Sequence, residues 1–161
     1  MKSLDTFQQI WQGDMPAHVL YQNDKYGLMA MLSPKPVVMG HALVVPREAV
    51  DHWHDLEAGR AAMAMVLGQI VAKRLTAVLD PPPARVDLHI MGWRVPHTHL
   101  KVIPSYIKGD TQAVYEFCPN PRPQVGEEDL LAMQQQLAFP DEIALQTDDL
   151  LARWDEPSTD N

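Results

Sequence analysis

Two histidines and a lysine recur at every second position in Val95-Pro96-His97-Thr98-His99-Leu100-Lys101-Val102-Ile103-Pro104. Side chains of a strand alternate between its faces. The spacing therefore predicts His97, His99, Lys101 and Ile103 on one face and Thr98, Leu100 and Val102 on the other. Neighbours on one face stand about 6.5 Å apart. An imidazole near its pKa is a nucleophile or proton carrier at neutral pH. A cation beside it can hold phosphoryl oxygens or steady a departing phosphate. The row suits chemistry at phosphorus. The plainer alternative is a half-exposed strand whose polar face carries two histidines.

The elements around this row read as an α+β chain. Residues 4–12 suggest a short helix with Leu4, Phe7, Ile10 and Trp11 on one stripe, Ser3 as its cap and Gly13 as its stop. Val19-Leu20-Tyr21 starts one extended segment, and Tyr26 to Leu32 is a second. Ser33-Pro34-Lys35-Pro36 is a loop, since proline cannot donate to a ladder. His41 opens a third strand that ends at Pro46. A long helix spans about Leu56 to Leu79, with Met63, Val66, Leu67, Ile70, Val71, Leu75 and Val78 on one apolar face, and stops before Asp80-Pro81-Pro82-Pro83. Arg85 to Met91 alternates, with Val86, Leu88 and Ile90 opposite Arg85, Asp87 and His89. Gly92-Trp93-Arg94 turns the chain into the histidine strand. Few strands, one long helix and two more strands imply a helix packed on an antiparallel sheet.

Residues 1–118 form the expected main domain, and 119–161 a C-terminal extension. The stretch from Tyr106 to Phe117 gives no decided pattern. Pro119 to Pro123 is a proline-rich linker, Gly126 to Ala138 a short helix broken by Pro140, Ile143 to Trp154 one or two further amphipathic turns, and Pro157 to Asn161 a frayed end.

The net charge of −8 argues against a nucleic-acid-coating protein, although a local basic cluster can still hold a small anion. Cys118 is the lone cysteine, so neither an internal disulfide nor a CxxC zinc site is expected. The N-terminus lacks a long apolar signal segment, and no apolar run reaches the roughly 18 residues of a membrane span. The default setting is reducing and cytoplasmic, with no membrane partner.

From about Phe7 to Pro104 the chain resembles the histidine triad (HIT) family of nucleotide hydrolases and transferases, in its fragile-histidine-triad branch. Gly13-Asp14-Met15-Pro16-Ala17 is similar to the family's Gly-Glu-Ile-Pro-Ala entrance. Gly40-His41-Ala42-Leu43-Val44-Val45-Pro46 is similar to its Gly-His-x-Leu-Val-x-Pro signature. His97-Thr98-His99 matches the first two thirds of its His-φ-His-φ-His-φ-φ motif. The resemblance implies a HIT-like fold and a ping-pong reaction at the α-phosphorus of a nucleotide. His99 would attack, forming a nucleotidyl–imidazole. His97 would orient His99, and His41 would support His97. Gly40 would let backbone approach the site, and Ser33 would meet a ribose. It further implies a homodimer that needs no cofactor or protein-bound metal for this step.

The chain departs from the motif at three places. Lys101 replaces the third histidine, Trp93 stands where a phosphate-binding glutamine is common, and Met31-Leu32 stand where some branches carry an acidic ribose contact. Lys101 fixes positive charge beside the phosphate but is a poor proton donor, which favours leaving groups such as polyphosphates over amines. Trp93 can stack on a base, and Arg94 is a candidate phosphate contact. Two rivals follow: a nucleotide-binding or signalling module without turnover, and a metal-dependent hydrolase using His41, His97 and His99. His52 and His54 read as structural or surface residues, His89 as either an exposed strand residue or a ligand contact, and Met63 and Met65 as packing.

Overall fold

The computed structural model describes residues 4–90, 92–106 and 124–155. The expectations for Ser3, residues 107–117, Cys118, the 119–123 linker and the end from Pro157 lie outside them.

Five strands form one antiparallel sheet: β1 (Val19–Asn23), β2 (Leu28–Leu32), β3 (Ala42–Pro46), β4 (Arg85–Ile90) and β5 (Leu100–Ser105), in the spatial order β1-β2-β3-β5-β4. Four α-helices accompany them among the described residues: α1 (Thr6–Gln12), α2 (Ala58–Val78), α3 (Glu127–Leu137) and α4 (Asp141–Ala152). The expected α+β layout, a long helix packed on an antiparallel sheet, is what the chain adopts.

The period-2 alternation of the strands divides the sheet into two faces. Leu28, Ala30, Leu32, Ala42, Val44, Leu100 and Val102 face α2 and pack with Met63, Leu67, Val71 and Leu75. Met29, Met31, Leu43 and Val45 face the other way and pack with Phe7 of α1. The central strands β2 and β3 are thus buried on both sides, which accounts for their unbroken apolar sequence. Helix α2 starts at Ala58 rather than Leu56, because the Glu57 carboxylate caps it by accepting from the Gly59 and Arg60 N–H groups, each at 2.8 Å. At 21 residues and a mean hydropathy of 1.4, α2 is long and apolar enough to cross a membrane, which corrects the expectation from the sequence. Its buried stripe instead lies on the sheet.

Residues 124–155 are more ordered than their sequence suggests. The segment after Pro140 is a twelve-residue helix, not a turn or two. Leu130, Leu137 and Leu151 join the α2-side core. Arg74 of α2 donates to the carbonyls of Gln136, Leu137 and Ala138 at the end of α3, where a cation suits the helix dipole. Asp148 of α4 accepts from the Tyr21 hydroxyl and the Asn23 amide of β1. The outer edge of β1 is occupied too: Phe139 N–H donates to Leu20 O at 3.0 Å and Gln134 Nε2 to Val19 O at 2.8 Å.

Leu67 has no exposed surface and sits at the centre of the α2 contact. Leu67→Ala is expected to lower unfolding free energy by about 2–5 kcal/mol, read from the midpoint of urea denaturation with an unchanged slope.

Candidate active site

The site lies where α1, the end of β3 and the start of β5 meet. Strand β5 begins at Leu100, not at Val95, so His97, Thr98 and His99 precede the ladder. They are nonetheless buried, with exposures of 0, 2 and 7 %. From Leu100 onward the expected alternation holds: Leu100, Val102 and Pro104 are buried while Lys101, Ile103 and Ser105 are less so.

His97 is gripped from two sides. Its Nε2 lies 2.7 Å from Pro46 O, and its Nδ1 lies 3.1 Å from Asp5 Oδ2 and 3.3 Å from Oδ1. A carbonyl only accepts, so Nε2 is an N–H donor. Asp5 is the N-cap of α1: Oδ1 accepts from Gln8 N–H, and Gln8 Oε1 accepts from Asp5 N–H, both at 3.0 Å. Sequence reasoning missed Asp5. The signal was the Asp5-x-x-Gln8 spacing, which is a capping box and places the cap two residues after Ser3. Phe7, the second residue of α1, completes the grip, with its ring 5.4 Å from that of His97 and 4.9 Å from that of His99.

His99 takes its orientation from the backbone. Its Nδ1 lies 2.8 Å from His97 O. Since that oxygen only accepts, Nδ1 carries the proton and Nε2 carries the lone pair of the neutral ring. Burial pushes the His99 imidazole below its ordinary pKa; the hydrogen bond to His97 O opposes this, and the charges of Lys101 and His97 add to the lowering. A neutral ring with a defined acceptor nitrogen is the state a nucleophile requires.

The rest of the site follows from strand register. Lys101 pairs with Leu43 on one side and His89 on the other, so it shares a face with both. His89 is therefore part of this face. His41 immediately precedes Ala42, the partner of Val102. It is buried, and its Nδ1 accepts from Val37 N–H at 3.3 Å. The expectation that His41 supports His97 is corrected: both nitrogens of His97 are taken by Asp5 and Pro46, and Pro46 ends the strand that His41 precedes, about 15 Å along it. Ser33 sits beside His41, donating N–H to His41 O at 2.9 Å, while its hydroxyl accepts from Lys35 N–H at 3.4 Å.

Gly40 also differs from the expectation. Its φ of 84° is in the left-handed region, and an added Cβ would meet Leu79, Leu75 and Pro104 side chains at 3.1–3.3 Å. The missing side chain thus faces the core, where it allows a turn and close packing, rather than an approach to substrate. Trp93 is 92 % exposed on the loop before His97, and Arg94 beside it is exposed as well. That loop rests against the segment before α2, where Thr98 N–H donates to Val50 O at 2.6 Å and Thr98 Oγ1 to Asp51 O at 3.2 Å. His52 and His54 are exposed there with their rings stacked. No cluster of three or more His, Cys, Asp or Glu suited to a metal occurs among the described residues.

Residues 12–107, which carry His41, His97, His99 and Lys101, match the HIT domain. The chain belongs to the HIT domain family. Within it, the chain is 25 % identical over 111 residues to Protein hit of Bacillus subtilis, covering 65 % of this chain and 72 % of that protein. Its fold is similar to that of a Hit-like protein involved in cell-cycle regulation from Bartonella henselae, with a TM-score of 0.69, 17 % identity and coverage of 86 % of this chain and 96 % of that one. It is also similar to a histidine triad nucleotide-binding protein of Sulfolobus tokodaii (TM-score 0.65, 19 % identity, 97 % and 99 % covered) and to a zinc-bound histidine triad family protein of Mycobacterium smegmatis (0.63, 22 %, 89 % and 95 %). HIT domain proteins in general bind or hydrolyse nucleotides. The match begins at Gln12, so Asp5 and Phe7 lie outside it.

Because the folded state holds His99 below its ordinary pKa, the unfolded chain takes up that proton first as pH falls. This contribution to stability is complete above about pH 6.5 and is lost as pH falls through the folded value. Lys101→Gln removes one of the lowering charges, so the His99 midpoint in an NMR titration is expected to rise.

Proposed function

We propose that this HIT domain protein cleaves the α-phosphorus bond of a dinucleoside polyphosphate or a nucleoside phosphoramidate-type substrate, by hydrolysis or nucleotidyl transfer. His99 Nε2 attacks the α-phosphorus. The bond from phosphorus to the leaving group breaks, leaving a nucleotidyl–imidazole. Water or another acceptor then attacks the same phosphorus and frees His99. The observation that carries this reading is the 2.8 Å contact of His99 Nδ1 with His97 O, which assigns the lone pair to Nε2 in a ring already disfavoured as a cation.

In this reading Lys101 places a fixed charge beside the phosphate. His41 and Ser33 serve the sugar–phosphate end, and Trp93 and Arg94 close over the substrate from the loop. Since a lysine is a poor acid at neutral pH, polyphosphate leaving groups are favoured over amines. The order and spacing of the motif residues support assignment to the fragile-histidine-triad branch. A second reading, nucleotide binding without turnover, draws on Lys101 and on the almost fully exposed Trp93.

We further infer a homodimer. Among the described residues no strand pairs with the outer edge of β4, and beside it runs an apolar groove lined by Met65, Val66, Ala72, Val86 and Leu88. An uncovered edge next to apolar surface suits a second copy.

Brief incubation with diadenosine polyphosphates and with adenosine phosphoramidate, followed by intact-protein mass spectrometry, tests the reaction. Wild type is expected to carry an acid-labile AMP adduct, and His99→Ala to carry none and to turn over more than about 10³-fold more slowly. Nucleotide binding with no adduct and no AMP release would establish the second reading instead. Light scattering is expected to give wild type twice the 18.1 kDa chain mass, and Met65→Glu the mass of one chain. Wild type at the single-chain mass would overturn the dimer.

A further inference from the structure

The nucleophile's own backbone lies outside regular structure. The segment Val95–His99 leads into β5 but is not yet part of it, so no ladder holds it. Contacts from three other segments take that place. His97 N–H donates to Val95 O at 2.8 Å, and Thr98 is tied to Val50 O and Asp51 O. The His97 ring is clamped between Pro46 O and the Asp5 carboxylate. Of these, the carboxylate is the only formally charged partner, and it comes from a residue 92 positions away in the chain. It is also well sheltered: the Asp5 side chain is 15 % exposed and that of His97 is not exposed at all. With Nε2–H committed to Pro46, the facing Nδ1 and carboxylate hold one proton between them; two lone pairs would otherwise meet.

We propose that Asp5 is a positioning residue for His99. The proposal rests on the reading of His99 as the nucleophile. By fixing the His97 ring, Asp5 fixes the His97 carbonyl two bonds along the backbone, and that carbonyl holds the His99 Nδ1 proton. Loss of the carboxylate frees the His97 ring to tilt, loosens the carbonyl and lets His99 sample the tautomer with its proton on Nε2, which cannot attack phosphorus. Because the same carboxylate caps α1, the docking of this helix and the readiness of the nucleophile become one event. Phe7, carried by the same helix against both imidazoles, moves with it.

Asp5→Ser separates this role from plain helix capping, because serine is an equally good N-cap and is too short to reach His97. The fold is expected to persist, with thermal unfolding still cooperative but at a lowered midpoint, because the buried His97 Nδ1 loses its partner. The single-turnover rate of adenylyl-His99 formation at saturating diadenosine polyphosphate is expected to fall at least tenfold, with the half-saturating concentration nearly unchanged. Long-range ¹H–¹⁵N histidine spectra of the ligand-free protein are expected to show His99 passing from one Nδ1–H form to a mixture. A folded Asp5→Ser protein with wild-type rate and a wild-type His99 spectrum would overturn the proposal and leave Asp5 as a cap alone. Should Asp5→Ser not fold, Asp5→Thr, likewise an N-cap and likewise too short to reach His97, carries both readouts with the same expected directions. If wild type itself forms no adduct, the nucleotidyl-transfer reading fails on its own account; the spectra then decide the positioning role, an unchanged His99 signal in Asp5→Ser overturning it.

Discussion

A fully buried imidazole has two nitrogens to satisfy, and an unsatisfied one is costly. His97 is that imidazole, and the site is arranged around its two partners. One is a backbone carbonyl that Pro46 presents where β3 ends. The other is the carboxylate that starts α1. Meeting both demands fixes where α1 lies, how the chain enters β5 and which way the His97 carbonyl points. The orientation of His99 follows from that, through the backbone oxygen its Nδ1 meets.

The two faces of the sheet carry different burdens. The α2 side holds the larger apolar cluster and receives the C-terminal helices. The α1 side is a smaller cluster bordered by His99 and Lys101. Electrostatics on that second side favour a neutral His99: it is buried and faces a fixed lysine charge. The lysine thus has two effects of opposite use. It adds to the lowering that burial imposes on the imidazole, yet it does not easily give up a proton.

Much of this was legible in the sequence because period and punctuation are local signals. The alternation in β4 and β5, the apolar stripe of α2 and the proline stops gave the layout, and the ordered motif residues gave the family. What was not legible depends on partners distant in the chain. Asp5 is an unremarkable acid until the fold brings it 3.1 Å from His97. Gly40 reads as a site glycine, but its neighbours are Leu75, Leu79 and Pro104. The role assumed for His41 failed because nothing local says which end of β3 meets His97. The start of β5 was placed too early because His97 and Thr98 find their hydrogen bonds outside a ladder, and periodicity cannot tell such partners from a neighbouring strand. The last helix looked shorter than it is, since its sequence is weakly apolar and its order comes from docking through Asp148 and Leu151.

The extension's grip on β1 has an arithmetic consequence. A sheet with two bare edges can accept a neighbour on each, and every addition leaves another bare edge, so growth has no natural end. Here Phe139 and Gln134 occupy acceptors on the β1 side. On that side the sheet is already terminated: the Val19 and Leu20 carbonyls are taken, so the C-terminal helices act as a chain stopper against strand addition beyond β1.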